Sequence, residues 1–137
     1  MFTMEQLQGV LLTTARPEVT KYRSQSKTGW TVRTRIMFRA KWPFLIALQR
    51  KFEQFEINSI LRESEGVNRD GPVLIVGRHA SISKLRELMP KHIPCSHANW
   101  DLFDNILDYV ESKLHLTQDG MEEMIGLIEN EKHNKKV

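Results

Sequence analysis

From Trp30 to Lys41 the chain alternates in character residue by residue. Trp30, Val32, Thr34, Ile36 and Phe38 form one set; Thr31, Arg33, Arg35, Met37 and Arg39 form the other. A period of two sends these sets to opposite faces of a β-strand. One face is apolar and must be covered, and the other carries three arginines and belongs in solvent. That combination suits an antiparallel sheet covered on one side only. The preceding stretch, Glu18 to Gln25, alternates as well, and Ser26 to Gly29 (SKTG) is turn chemistry, so the two segments read as a hairpin. On the first strand Lys21, Arg23, Gln25 and Lys27 share a parity. Aligning that parity with Arg33, Arg35 and Arg39 gives one strongly basic face. Six cations on two short strands repel one another unless a polyanion lies over them.

The charge map points the same way. Formal net charge over 137 residues is only +3. Residues 1–51 hold ten Lys/Arg against two acids, however, and the rest hold ten against fifteen. Residues 98–131 alone contain nine acids and one lysine, so the C-terminal part would repel a polyanion and the sheet face would meet it. Arginine rather than lysine dominates the second strand, which suits bidentate contact to phosphate or guanine. Hydrophobic content of 40% and charged content of 27% are those of a globular chain. One cysteine, Cys95, leaves no internal disulfide. The opening MFTMEQLQ has no basic region leading into an apolar run, and no segment is apolar for about 20 residues, so neither a secretory signal nor a membrane span is expected. The expectation is an intracellular protein, of cytoplasm, nucleoid or organelle.

Along the chain, Thr3 and Gln6 have capping-box spacing, which starts a helix near Met4. Leu7, Val10, Leu11 and Thr14 fall on one helical face, with Gly9 and Thr13 one turn apart on an adjoining stripe. Pro17 ends the helix by Ala15 or Arg16. Trp42-Pro43 opens a second helix with Phe44, Leu45, Leu48 and Phe52 inward. Trp30 and Trp42 are expected beneath the sheet. Phe55 to Glu63 and Val73 to Arg78 read as a second strand pair, around a loop with Gly66, Asn68, Asp70 and Gly71. Ser81 is the expected cap of a helix to Met89, Asn99 that of a helix to Leu114, and Thr117 that of a last helix with Met121, Met124, Ile125 and Ile128 inward. The result is an α+β domain over residues 1–130, with an antiparallel four-stranded sheet and helices on one face, then a flexible basic tail at 131–137.

The order αββαββα, the first helix LQGVLLTTA and the late LHLTQDGMEEMIGLI resemble the LAGLIDADG homing endonucleases, over nearly the whole chain. The resemblance implies motif helices that pair across a two-fold axis, two sheets that form a saddle in the DNA major groove, and an acid at the foot of each helix holding a divalent metal. By that resemblance Leu7, Gly9, Val10, Leu11 and Thr13 belong to a helix–helix interface between two copies, because one motif in one chain implies a homodimer. Lys21, Arg23, Gln25, Lys27, Arg33, Arg35 and Arg39 would carry the groove contacts, joined by Asn58, Arg62, Arg69 and Arg78 from the second hairpin. The position of the metal-binding acid falls on Thr14, whose neutral hydroxyl is a poor ligand for Mg²⁺. Glu18, the nearest acid, lies beyond Pro17 and is the candidate substitute.

Two functions beside simple binding follow. The leading expectation is a sequence-preferring, catalytically inactive double-stranded DNA-binding protein without a cofactor, serving as a regulator or as a relic or helper of a mobile element. One alternative is an active, Mg²⁺-dependent site-specific endonuclease using Glu18; the other is an RNA-binding intron maturase. His92, Cys95 and His97 in HIPCSH lack the second cluster that a zinc site needs, so no metal is assigned there. His79, His115 and His133 are scattered, and no G-x-S-x-G, Walker or G-x-G-x-x-G pattern occurs.

Overall fold

Helix α1 (Met4–Thr13) begins as its capping box requires: Gln6 N–H donates to Thr3 Oγ1 at 3.1 Å, and Thr3 N–H donates to Gln6 Oε1 at 2.9 Å. Strands β1 (Arg16–Arg23) and β2 (Trp30–Arg39) follow, then α2 (Trp42–Gln54), β3 (Ile60–Ser64), β4 (Asp70–Val76), α3 (His79–Leu88), α4 (Trp100–Glu111), a 3₁₀ turn (Leu114–Leu116) and α5 (Gln118–Lys136). The structure is a computed structural model and describes residues 2–65, 70–90 and 100–136. The four strands form one antiparallel sheet in the order β1-β2-β4-β3. This is an α+β fold.

The chain divides into two compact units, one of residues 1–17 and 35–98, the other of 18–34 and 99–137. In the first unit β2 pairs with β4 so that Ile36 faces Val76 and Phe38 faces Leu74. Those four side chains are fully buried, as are Leu7 and Leu11 of α1 and Leu45, Leu48 and Phe52 of α2. Phe38 and Phe52 meet with ring centroids 5.4 Å apart. Burying a side chain of this size contributes roughly 1.5–3 kcal/mol. In the second unit α4 and α5 close on Ile106, Met124 and Ile128, with Val19 of β1 and Val32 of β2 packed against them. Tyr109 of α4 donates its hydroxyl to Glu123 Oε2 of α5 at 2.8 Å, and that bond to a carboxylate raises the phenol above its ordinary pKa.

Several sequence expectations give way to specific local physics. The third strand starts at Ile60, not Phe55, because residues 55–57 are spent terminating α2. Glu56 takes a left-handed φ of 59°, its N–H donates to Glu53 O at 3.0 Å, and Ile57 N–H donates to Phe52 O at 3.0 Å. That is a Schellman termination with buried Ile57 and Phe52 as its apolar pair. Strand β4 stops at Val76, before Arg78, which becomes the N-cap residue of α3. Ser81 does not cap that helix. It is 2% exposed, and its Oγ accepts the Asn58 N–H at 2.9 Å. Trp42 stands at 37% exposure at the start of α2 rather than beneath the sheet. The segment from 131, expected as a tail, continues α5 through Lys136. Asn99 and the HIPCSH stretch with His92, Cys95 and His97 lie outside the described residues.

Candidate nucleic-acid interface

The side of the strands turned away from the buried phenylalanines carries the arginines. In the first unit, Met37, Ile75 and Ile60 form one row across β2, β4 and β3, and Arg39, Val73 and Arg62 form the next. Met37, Val73 and Ile75 are themselves buried, so this face has an apolar floor that alternation assigned to solvent. Charged side chains provide part of the cover. Glu65, just past β3, binds Arg35 at 2.6 Å through Oε1 and Arg39 at 3.3 Å through Oε2. The Arg35 and Glu65 side chains are only 11% and 19% exposed, so each compensates the desolvation of the other. Arg62 and the end-strand Ile60 remain exposed.

A cavity of about 280 Å³ opens at the foot of α1, lined by Thr13, Thr14, Arg16, Met37 and Arg39. Thr14 is the C-cap residue, its N–H donating to Val10 O. Thr13 donates its hydroxyl to Gly9 O at 2.8 Å and lies 3.4 Å from the Thr14 hydroxyl. The lining offers two neutral hydroxyls, a thioether and two guanidinium groups. A hard divalent cation requires carboxylate and carbonyl oxygens around it, and guanidinium groups repel it. The residues at this position do not fit a metal. Among the described residues no group of three or more His, Cys, Asp and Glu side chains is arranged to hold one. Glu18, the candidate substitute acid, has its carboxylate 3.8 Å from Arg33 in the second unit.

The second unit corrects the expected alignment of strand faces. Lys21 and Arg23 have the parity of Val19, which packs against Ile106, Met124 and Ile128. They therefore lie on the helix side of the hairpin: Lys21 is 3.3 Å from Glu129 of α5, and the two cations sit 4.7 and 4.8 Å from the Trp30 ring centroid. The Lys21 side chain is 15% exposed, whereas Arg33, on the other parity, is 52% exposed. Phase was set by one apolar residue, Val19, and not by matching charges. Within this unit the even-numbered Tyr22 of β1 is exposed, as Arg33 is, and in the first unit Arg16 is exposed at the start of β1. Arg16 was missed because Pro17 placed it at the end of the helix, whereas it opens β1. Gln25 and Lys27 are exposed in the hairpin turn.

Among the described residues expected from the second hairpin, Arg62 alone is in a strand. Asn58 precedes β3 and is tied to α3 through Ser81, Arg78 is at the start of α3, and Arg69 is outside the described residues. Of the expected interface residues, Leu7 and Leu11 are fully buried within their own unit and cannot meet a second copy. They face inward because the core of this unit requires α1's most apolar stripe. Gly9 and Thr13 are exposed on the opposite stripe, and with Phe2, Gln6, Val10 and Ala47 they line an open groove of about 580 Å³.

A helix before each of two strand pairs, the four strands joined in one antiparallel sheet, is the fold of the LAGLIDADG homing endonucleases. Solved structures of that group superpose on nearly the whole chain. The homing endonuclease I-TnaI matches with a TM-score of 0.75 at 20% identity, covering 92% of this chain and 85% of that one. I-SmaMI bound to uncleaved DNA target in the presence of calcium ions matches with a TM-score of 0.75 at 18% identity, covering 93% and 44%. The LAGLIDADG meganuclease I-CpaMI bound to uncleaved DNA matches with a TM-score of 0.74 at 17% identity, covering 93% and 44%. The chain thus spans less than half of the latter two proteins. No protein-family model and no curated protein matches the sequence. Among the described residues no helix is long and apolar enough to cross a membrane.

Proposed function

We propose that this chain binds double-stranded DNA through the strand face bearing Arg35, Arg39 and Arg62 in its first unit and through Arg33 in its second, and that it does not cut DNA by the metal chemistry associated with its fold. The observation that carries the reading is the pairing of that arginine-bearing face with a fold whose solved examples include DNA-bound proteins. Arginines on a twisted strand surface can meet phosphates and guanine edges along a groove. Thr14 supports the second half of the proposal. Without a carboxylate at the helix foot, neither a metal clamp nor an activated water has a source among Thr13, Thr14, Arg16, Met37 and Arg39. Two copies meeting along Gly9 and Thr13 would supply the second half of a saddle.

Duplex binding measured across a salt series tests the face. Replacing both Arg33 and Arg62 with alanine should weaken binding and reduce the slope of log affinity against log salt by about 0.9 per lost phosphate contact. Arg23→Ala, on the Trp30 side, should leave the slope unchanged. An unaltered slope in the double variant would refute this assignment. Incubating the protein with a mixed DNA library and Mg²⁺ or Mn²⁺ tests inactivity, since reproducible cleavage at one site would overturn it. Displacement of duplex by structured RNA at lower concentration than by DNA would instead favour an RNA-binding role.

A further inference from the structure

The second unit contains a cavity that DNA binding leaves without a use. We propose that it binds a small aromatic carboxylate, a flat apolar ring system carrying one anionic head. The proposal stands apart from the DNA-binding reading and concerns the second unit alone.

Size and lining are the first argument. The cavity measures about 440 Å³ and is bounded by the tip of the β1–β2 hairpin and by residues of α4, the 3₁₀ turn and α5, all within that unit. Small-molecule sites span roughly 300–1,000 Å³, so the space suits a molecule of two fused rings. Its apolar walls are Trp30 and Val32 from β2, Val110 from α4, Leu116 from the turn, and Met121 and Met124 from α5. Met121 and Met124 are buried and form the floor, whereas Leu116 is 61% exposed and stands at the rim. An indole with two thioethers favours a flat ligand, because aromatic faces stack and sulfur packs well against ring edges. Trp30 is also held in place, with Lys21 Nζ 4.7 Å and Arg23 Cζ 4.8 Å from its ring centroid. A rigid ring loses less freedom in such a site than a flexible acyl chain does.

The polar part of the lining selects the head group. Ser26 donates its hydroxyl to Trp30 O at 3.0 Å, Thr28 donates to the same oxygen at 3.1 Å, and Thr31 donates to Ser24 Oγ at 2.8 Å. Those three protons are used within the hairpin. Lys27, which lines the cavity, makes no ion pair among the described residues, and neither does Arg23 beside Trp30. His115 also lines the cavity, and its Nδ1 is buried without a hydrogen-bond partner among the described residues. No hydrogen bond fixes that edge of the imidazole, so the ring is free to turn toward an incoming acceptor. Residues 98–131 hold nine acids, yet no Asp or Glu is among the described residues of the lining. An apolar recess edged by a lysine is therefore equipped for a carboxylate rather than for a cation.

The test uses the full chain, labelled with ¹³C at its methionine methyl groups and titrated separately with naphthoate, octanoate and naphthylmethylamine. Naphthoate should shift the methyl signals of Met121 and Met124 saturably, while those of Met37 and Met89 in the first unit stay in place. Lys27→Ala should weaken naphthoate binding by about threefold to fivefold, the size of an exposed ion pair. Leu116→Ala should weaken it through the lost wall. Both residues are exposed, so the variants should keep the native spectrum elsewhere. The cationic naphthylmethylamine should bind more weakly than naphthoate, and Lys27→Ala should narrow that gap. Tighter binding of octanoate than of naphthoate overturns the aromatic body. Equal binding of the anion and the cation, or unchanged naphthoate affinity in Lys27→Ala, overturns the anionic head. Shifts that never saturate, or that are equal across all six methionines, overturn the site itself. Every arm is read without added duplex, so failure here leaves the DNA reading untouched.

Discussion

Gly120 shows how one residue fixes a motif. It is the third residue of α5, is buried, and donates its N–H to Thr117 Oγ1 at 3.0 Å, which makes Thr117 the cap that the sequence led us to expect. A Cβ at this position would run into the Leu114 carbonyl oxygen and come within 2.7 Å of the Leu114 carbonyl carbon and 2.8 Å of Thr117 Oγ1. The glycine of HLTQDG is thus dictated by backbone contact, not by helix propensity. Gly120→Ala should destabilise the protein by about 1–3 kcal/mol, as overpacking does, even though alanine is the better helix former. Urea unfolding measures it, and a stabilised variant would mean that the 3₁₀ turn yields freely. Thr117 was legible at the same scale, as the hydroxyl that caps the last helix. Arg39 and Glu65 were not, because an ion pair spanning 26 positions leaves no local signature.

At the scale of elements, alternation located β2 correctly because apolar or charged residues occupy all of its positions except Thr31 and Thr34. It misplaced β3 because the signal that ends α2 was concealed. A Schellman termination normally announces itself with glycine, and here Glu56 holds the left-handed position at φ 59°. A non-glycine residue there costs roughly 1–2 kcal/mol of backbone energy. Lys84 offsets part of it, donating to Glu56 O at 3.2 Å and lying 3.7 Å from its carboxylate. Both Lys84 and Glu56 are well exposed, so the ion pair adds little and the backbone term dominates. Glu56→Gly is therefore expected to raise stability by up to about 1 kcal/mol, seen as a higher denaturant midpoint with an unchanged slope. A lowered midpoint would assign the larger role to the Lys84 contacts. The phase of β1 failed for a related reason. Its cations form a regular pattern, but a single Val19 seated against Ile106, Met124 and Ile128 outweighs them, because burial decides parity where charge can reach solvent on either side.

At the scale of the whole molecule, the question is whether one chain suffices. The chain covers 85% of I-TnaI but only 44% of I-SmaMI. If two copies assemble, the exposed Gly9 stripe of α1 is the surface with room for close backbone approach. Leu7 and Leu11 are fully engaged in their own core. Gly9 gives this idea a sharp test, because its effects on the monomer and on the assembly have opposite signs. Within the chain nothing lies within 4 Å of an added Cβ, and the residue sits mid-helix, so Gly9→Ala should stabilise an isolated copy by about 1 kcal/mol. Across a close helix–helix contact the same methyl group forces the backbones apart and should weaken association by about tenfold or more, as overpacking of 1–3 kcal/mol implies. Denaturation at low concentration reads the first effect and sedimentation equilibrium reads the second. A dimer whose dissociation constant is unchanged in Gly9→Ala would be built on a different surface, and the saddle would have to be drawn without this helix at its centre.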